Sequence, residues 1–228
     1  MFFTSAVVAL LAATVSAFPA ADPAGAEAAL IARQSSSSNE LENGPCRQVI
    51  FIFARGSTEA GNMGTVVGPQ TCAALKSLLG SENVACQGVG GPYLGTLIAN
   101  TFPRGTSDAA IQEAVRLFTL ANTKCPDTIV TSGGYSQGTA VIAAALSDLT
   151  TQAPAVVDQV VGAVLFGYTH NKQNGGRIPN YPTERTEVYC APGDVLCDGL
   201  LNVLPGHYTY GSNAGSAAAF LAQRVAIA

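Results

Sequence analysis

Tryptophan is absent, and histidine occurs only twice in 228 residues. Two histidines and no C-x-x-C pair leave no Cys/His quartet of the kind that holds zinc, so neither a metal nor a cofactor is expected. Charge is scarce as well, at 11 Lys+Arg and 15 Asp+Glu for a formal net charge of -4. Without a basic stripe to neutralise phosphates, nucleic acid is not an expected partner. The glycine cluster Gly88-Val89-Gly90-Gly91 runs into Pro92 and is not a G-x-G-x-x-G dinucleotide loop. No run after the N-terminus reaches the roughly 18 apolar residues of a membrane helix, so no membrane insertion is expected. No N-x-S/T sequon occurs either. What is abundant is apolar residue, 48% of the chain. That rules out disorder and suits one domain with a full core.

The first 17 residues carry a short apolar run, Ala6 to Ala13, and end in Val15-Ser16-Ala17. Small residues after such a run read as a secretory signal, and the mature protein is expected outside the cell. Residues 18–33 are Ala/Pro-rich without a core pattern and end at Arg33, which reads as a propeptide. A flexible segment over 34–45, beginning Gln34-Ser35-Ser36-Ser37-Ser38, then leads into the main domain, 46–228. Six cysteines in an exported chain argue for disulfides. Proximity suggests only one pair, Cys190 and Cys197, which bracket the turn A-P-G-D-V-L.

Gln48 to Ala54 and Val160 to Phe166 are continuous apolar runs, as in strands buried on both faces of a sheet. Weaker strands read at 83–87, 127–131 and 186–189. Helices read at 65–79, from a cap at Ser107 to Cys125-Pro126, at 140–149 and at 214–227. Strands alternating with helices imply an α/β fold, a mainly parallel sheet with helices on both faces.

Gly134-Tyr135-Ser136-Gln137-Gly138 matches G-x-S-x-G between a strand and a helix, where the pattern has a physical meaning. The nucleophile elbow forces its serine into a strained turn, and flanking glycines let strand and helix approach closely. A serine needs a base, and His207, on a loop before the last helix, suits that role better than His170 in a polar stretch after a strand. Asp194, inside the Cys190 to Cys197 loop, would orient the base, with Asp148, Asp158 and Asp198 as alternatives. The chain order Ser136, Asp194, His207 is that of α/β-hydrolases. One oxyanion donor would be the Gln137 N–H and another would come from Ser57, after the first strand.

Ala54-Arg55-Gly56-Ser57-Thr58-Glu59, Gly88-Val89-Gly90-Gly91, Pro103-Arg104-Gly105-Thr106-Ser107, Gly133 to Gly138, Gly167-Tyr168-Thr169, Gly176 to Pro182 and the Cys190 to Cys197 loop occur in that order. With these motifs the chain resembles fungal cutinases, lid-less serine esterases that hydrolyse the plant polyester cutin. The resemblance implies a compact α/β-hydrolase, a three-layer α/β/α sandwich around five strands. It assigns Ser136, Asp194 and His207 to catalysis, Ser57 and Gln137 to the oxyanion hole, and Asn100 to positioning Ser57. It also implies the pairs Cys46 with Cys125, Cys72 with Cys86, and Cys190 with Cys197. The family more often has Pro directly before the base, where this chain has Gly206 after Pro205, so a more mobile base loop is expected. His170 stands where the family has Lys, which suggests a surface role.

Leu97 and Ile98 on one side, and Leu200, Leu201, Val203 and Leu204 on the other, flank the expected site. If exposed, they would form a rim that adsorbs to a waxy polyester. The expected partner is insoluble cutin or a small ester, met by a monomer. Acetylxylan esterase, on the same scaffold but with a more polar rim, is the alternative activity.

Overall fold

The structure is a computed structural model and describes residues 36–228. The expected signal and propeptide, 1–33, lie outside the described residues.

Five strands, β1 (Val49–Ala54), β2 (Val84–Gly88), β3 (Ile129–Tyr135), β4 (Val160–Phe166) and β5 (Thr186–Tyr189), form one sheet in the order β2-β1-β3-β4-β5. Every pairing is parallel. The helices are α1 (Glu40–Asn43), α2 (Gly68–Leu79), α3 (Asp108–Lys124), α4 (Gln137–Gln152), α5 (Pro154–Asp158), α6 (Asn171–Asn174) and α7 (Ala214–Ala226). The two-residue period of β1 sorts its side chains between two cores. Ile50, Ile52 and Ala54 join the apolar faces of α3 and α4, whereas Val49, Phe51 and Phe53 join those of α2 and α7. This is the expected three-layer sandwich, and no strand residue of β1 reaches solvent.

Ser107 caps α3, its hydroxyl accepting the Ala110 N–H at 3.2 Å. Helix α2 starts at Gly68, three residues later than the sequence suggests. The Thr65 and Val66 N–H groups donate instead to Glu59 Oε1, at 2.8 and 2.9 Å, which holds that stretch as a loop. Helix α4 starts earlier, at Gln137, directly after the serine turn.

The segment expected to be flexible over 34–45 is packed across residues 36–45. The outer edge of β2 would otherwise expose unpaired backbone groups. Ser38 Oγ donates to Cys86 O at 2.7 Å, Gly88 N donates to Ser38 O at 2.8 Å, and Cys86 N donates to Glu40 Oε2 at 2.7 Å. Leu41 is buried, and Lys124 Nζ donates to the carbonyls of Leu41, Glu42 and Gly44. Disulfides join Cys46 to Cys125, Cys72 to Cys86 and Cys190 to Cys197, the pairs implied by the resemblance.

Candidate active site

Between β3 and α4 the chain reverses at Ser136, whose φ of 54° and ψ of -124° are strained for a side-chain-bearing residue. Its flanking glycines make this turn buildable. A Cβ on Gly138 would lie 2.0 Å from Ala54 O, and one on Gly134 would lie 2.4 Å from Gly138 O. The turn is tied to β4 by Ser136 N donating to Phe166 O at 2.9 Å.

Ser136 and His207 line the same cavity of about 590 Å³. His207 lies in the short 3-10 turn Pro205–Tyr208, and its Nδ1 is 2.8 Å from Asp194 Oδ2. A carboxylate only accepts, so Nδ1 carries the hydrogen and Nε2 is left as the basic nitrogen. Asp194 is buried, and its Oδ1 accepts the Leu196 N–H at 3.1 Å. Cys190–Cys197 closes the loop that carries Asp194. The alternative acids stand elsewhere: Arg104 engages Asp148 at 2.8 Å, and Asp158 and Asp198 are exposed. His170 is half-buried in a separate cleft with Arg104, Tyr168 and Asn174 rather than on the open surface, and this burial lowers its pKa.

Ser57 follows β1 on the cavity wall. Its Oγ accepts Asn100 Nδ2 and Gln137 Nε2, each at 3.0 Å. Asn100 is held in turn by donating to Leu97 O at 2.9 Å, and Gln137 by donating to Thr96 O at 2.8 Å. Two accepted hydrogen bonds occupy both lone pairs of a hydroxyl, so the Ser57 hydrogen remains to be donated. The main-chain N–H groups of Ser57 and Gln137 donate to no described residue. Leu97, Leu201 and Val203 are 64%, 57% and 46% exposed along the cavity, with Ile98 and Leu200 exposed beside them. Leu204 is only half-exposed.

Sequence reasoning missed four supporting residues. The Glu59 carboxylate receives Gly56 N at 2.7 Å as well as Thr65 N and Val66 N, pinning the loop that carries Ser57. Gly167 has a φ of 61°, and a Cβ there would lie 2.9 Å from both Asp194 Oδ2 and His207 Cε1. The Tyr135 hydroxyl donates to His207 O at 2.8 Å, and Tyr210 donates to Asp194 Oδ2. The glycine after a buried strand was a readable signal. Nothing in the sequence marks which tyrosine reaches which carboxylate.

The family model for cutinase matches residues 45–225. The chain is 52% identical over 227 residues to Cutinase 3 of Emericella nidulans, covering 100% of both chains. It is 51% identical to Cutinase 1 of Fusarium vanettenii, over 96% of this chain and 95% of that one. A Trichoderma reesei cutinase in complex with a phosphonate inhibitor superposes with a TM-score of 0.74 at 32% identity, over 88% of this chain and 84% of that one. With that match across the fold and the serine turn described above, the chain belongs to the cutinase family and is a carboxylic ester hydrolase.

Proposed function

We propose that this protein is an exported serine esterase that hydrolyses cutin-like aliphatic polyesters and short or medium acyl esters through an acyl-enzyme. The observation that carries the reading is the 2.8 Å contact of His207 Nδ1 with Asp194 Oδ2, on a ring that shares the cavity wall with Ser136. Ser136 Oγ attacks the ester carbonyl while His207 Nε2 takes its proton, and Asp194 stabilises the resulting imidazolium. The oxyanion receives the Gln137 N–H together with the Ser57 N–H and O–H, three donors that stabilise the charge as it develops. The intermediate collapses, the alcohol leaves with the proton from His207, and water repeats the sequence to release the acid.

The exposed aliphatic rim supports a waxy substrate, because an acetylated sugar would call for polar groups at the cavity mouth. The protein acts as a monomer outside the cell, with residues 1–17 and 18–33 removed on export. N-terminal sequencing of secreted protein should find Gln34 first. The activity is tested by release of hydroxy fatty acids from purified cutin, with Ser136→Ala as background. Equal release by the two proteins would refute the serine mechanism. Hydrolysis of a soluble ester without release from cutin would restrict the reading to small esters.

A further inference from the structure

We infer that Tyr210 and Tyr135 are positioning residues for the proposed acid and base, Tyr210 by sharing Asp194 Oδ2 with His207 and Tyr135 by holding the His207 ring and main chain. This rests on the Ser136, His207, Asp194 reading above.

The direction of the Tyr210 hydrogen bond is fixed by its neighbours. Its oxygen accepts the Ala191 N–H at 3.0 Å, and its single hydrogen goes to a carboxylate that cannot donate. Tyr210 is fully buried. Burial, and then the bond to Asp194, push its phenol pKa up, so it remains a donor wherever the enzyme works. Asp194 therefore carries the Leu196 N–H on Oδ1, and the His207 Nδ1–H and the Tyr210 hydroxyl together on Oδ2. Three donors from different directions leave the carboxylate one orientation, and that orientation sets the plane of the imidazole. Tyr210 can reach the same oxygen because it lies three residues after His207, in consecutive 3-10 turns.

Tyr135 constrains the ring itself. It is the residue before Ser136, so the elbow that presents the nucleophile also presents this side chain. Its ring stacks on the imidazole at 4.9 Å between centroids and 28° between planes, while its hydroxyl donates to the His207 carbonyl. Tyr210 meets the same imidazole edge-on at 89°. A Cβ on Gly56 would lie 2.8 Å from the Tyr135 ring, so only a glycine there leaves this ring its place against the imidazole. The mobility expected of a base loop with Gly206 before the histidine is thus countered by side chains from elsewhere in the fold.

The test uses the disulfide-bonded mature enzyme, with p-nitrophenyl butyrate as soluble substrate and proton NMR for the far-downfield His207 Nδ1–H resonance. Tyr210→Phe keeps the ring and removes one donor. It should lower kcat about tenfold, leave KM within about twofold, and shift both the downfield resonance and the acid limb of the kcat/KM pH profile. In an Asp194→Asn background the same change should cost much less than tenfold, the non-additivity of a shared contact. Tyr135→Phe, which keeps the stack, should lower kcat less than Tyr135→Leu, which loses stack and tie together.

Folded tyrosine variants with wild-type kcat, pH profile and resonance would overturn the inference. A second measurement needs no variant: in the wild type, the Tyr210 hydroxyl proton should show a nuclear Overhauser effect to the His207 Nδ1 proton, and its absence would count equally against it. Wild-type labelling by a serine-directed phosphonate, lost in Ser136→Ala, checks the underlying triad. Labelling with indifferent tyrosine variants overturns the positioning role alone, whereas failure to label overturns the triad and the inference with it.

Discussion

Asn100 Nδ2 sits 3.0 Å from Ser57 Oγ, and with the Gln137 amide at the same distance it fills the acceptor positions of that hydroxyl and leaves its hydrogen free to donate. A flexible hydroxyl would otherwise choose among acceptors, with an entropic cost at the moment of reaction. Ser57→Ala should lower kcat on a soluble ester by about 10²–10³-fold, the range for loss of one oxyanion donor. Asn100→Ala leaves the hydroxyl present and still tied to Gln137 Nε2 alone, and should cost less, about tenfold, with KM little changed. Steady-state kinetics of both variants decide the matter, and unchanged kcat in Ser57→Ala would mean that its hydroxyl is idle in the transition state.

Gly167 has no room for a methyl group beside Asp194 and His207. Gly167→Ala should displace His207 or Asp194 by several tenths of an ångström and also strain a φ of 61°. We expect a loss in kcat of about 10²-fold with the enzyme still folded, since the crowding is local. Circular dichroism alongside kinetics checks this, and full activity would show that the loop yields without cost.

The serine turn was readable because its requirements are local: Gly134 and Gly138 stand two residues from Ser136 on either side, and the clashes they avoid are backbone clashes. Helix α3 was readable for the same reason, through the Ser107 cap and Pro126. The packing of residues 36–45 was not, because Ser38 and Glu40 look like solvated linker until β2 is placed beside them. Tyr210 carries the same lesson. Its partner lies 16 residues back along the chain, and the contact exists only once the Cys190–Cys197 loop has been folded over the sheet edge.

Two of the three disulfides should separate stability from activity. Chain entropy assigns about 4.5 kcal/mol to a loop closed over the 79-residue separation of Cys46–Cys125, and about 2.4 kcal/mol over the 7 residues of Cys190–Cys197. Replacing Cys46 and Cys125 by Ala should therefore lower Tm more. Replacing Cys190 and Cys197 should lower kcat more, because that bridge holds Asp194. Thermal melts and kinetics on the two double variants test the crossing, and the same rank order in both measurements would contradict it.

Rim and chemistry should also be separable. Leu201 and Val203 are about half exposed at the cavity edge, so Leu201→Ser with Val203→Ser should change kcat/KM on a soluble ester far less than release from cutin, by less than about twofold. On insoluble cutin, where each aliphatic side chain would be buried on adsorption, release should fall about fivefold or more. Parallel assays on the two substrates give the answer. Equal losses would mean that the rim acts on the site itself.

His170 should weaken the fold on the acid side of neutrality. Burial in the cleft beside Arg104 lowers its pKa below the ordinary 6.5, so the unfolded chain takes up a proton before the folded one does. Its contribution to stability is thus complete above about pH 6.5 and declines as pH falls toward the lower, folded value, below which it changes no further. His170→Gln cannot bind that proton, and its Tm should fall less steeply than the wild type's between about pH 6.5 and 5, above the range of ordinary carboxylates. Melts of the two proteins across that window give the comparison, and parallel curves would show that His170 is protonated as readily in the folded protein as in the unfolded chain.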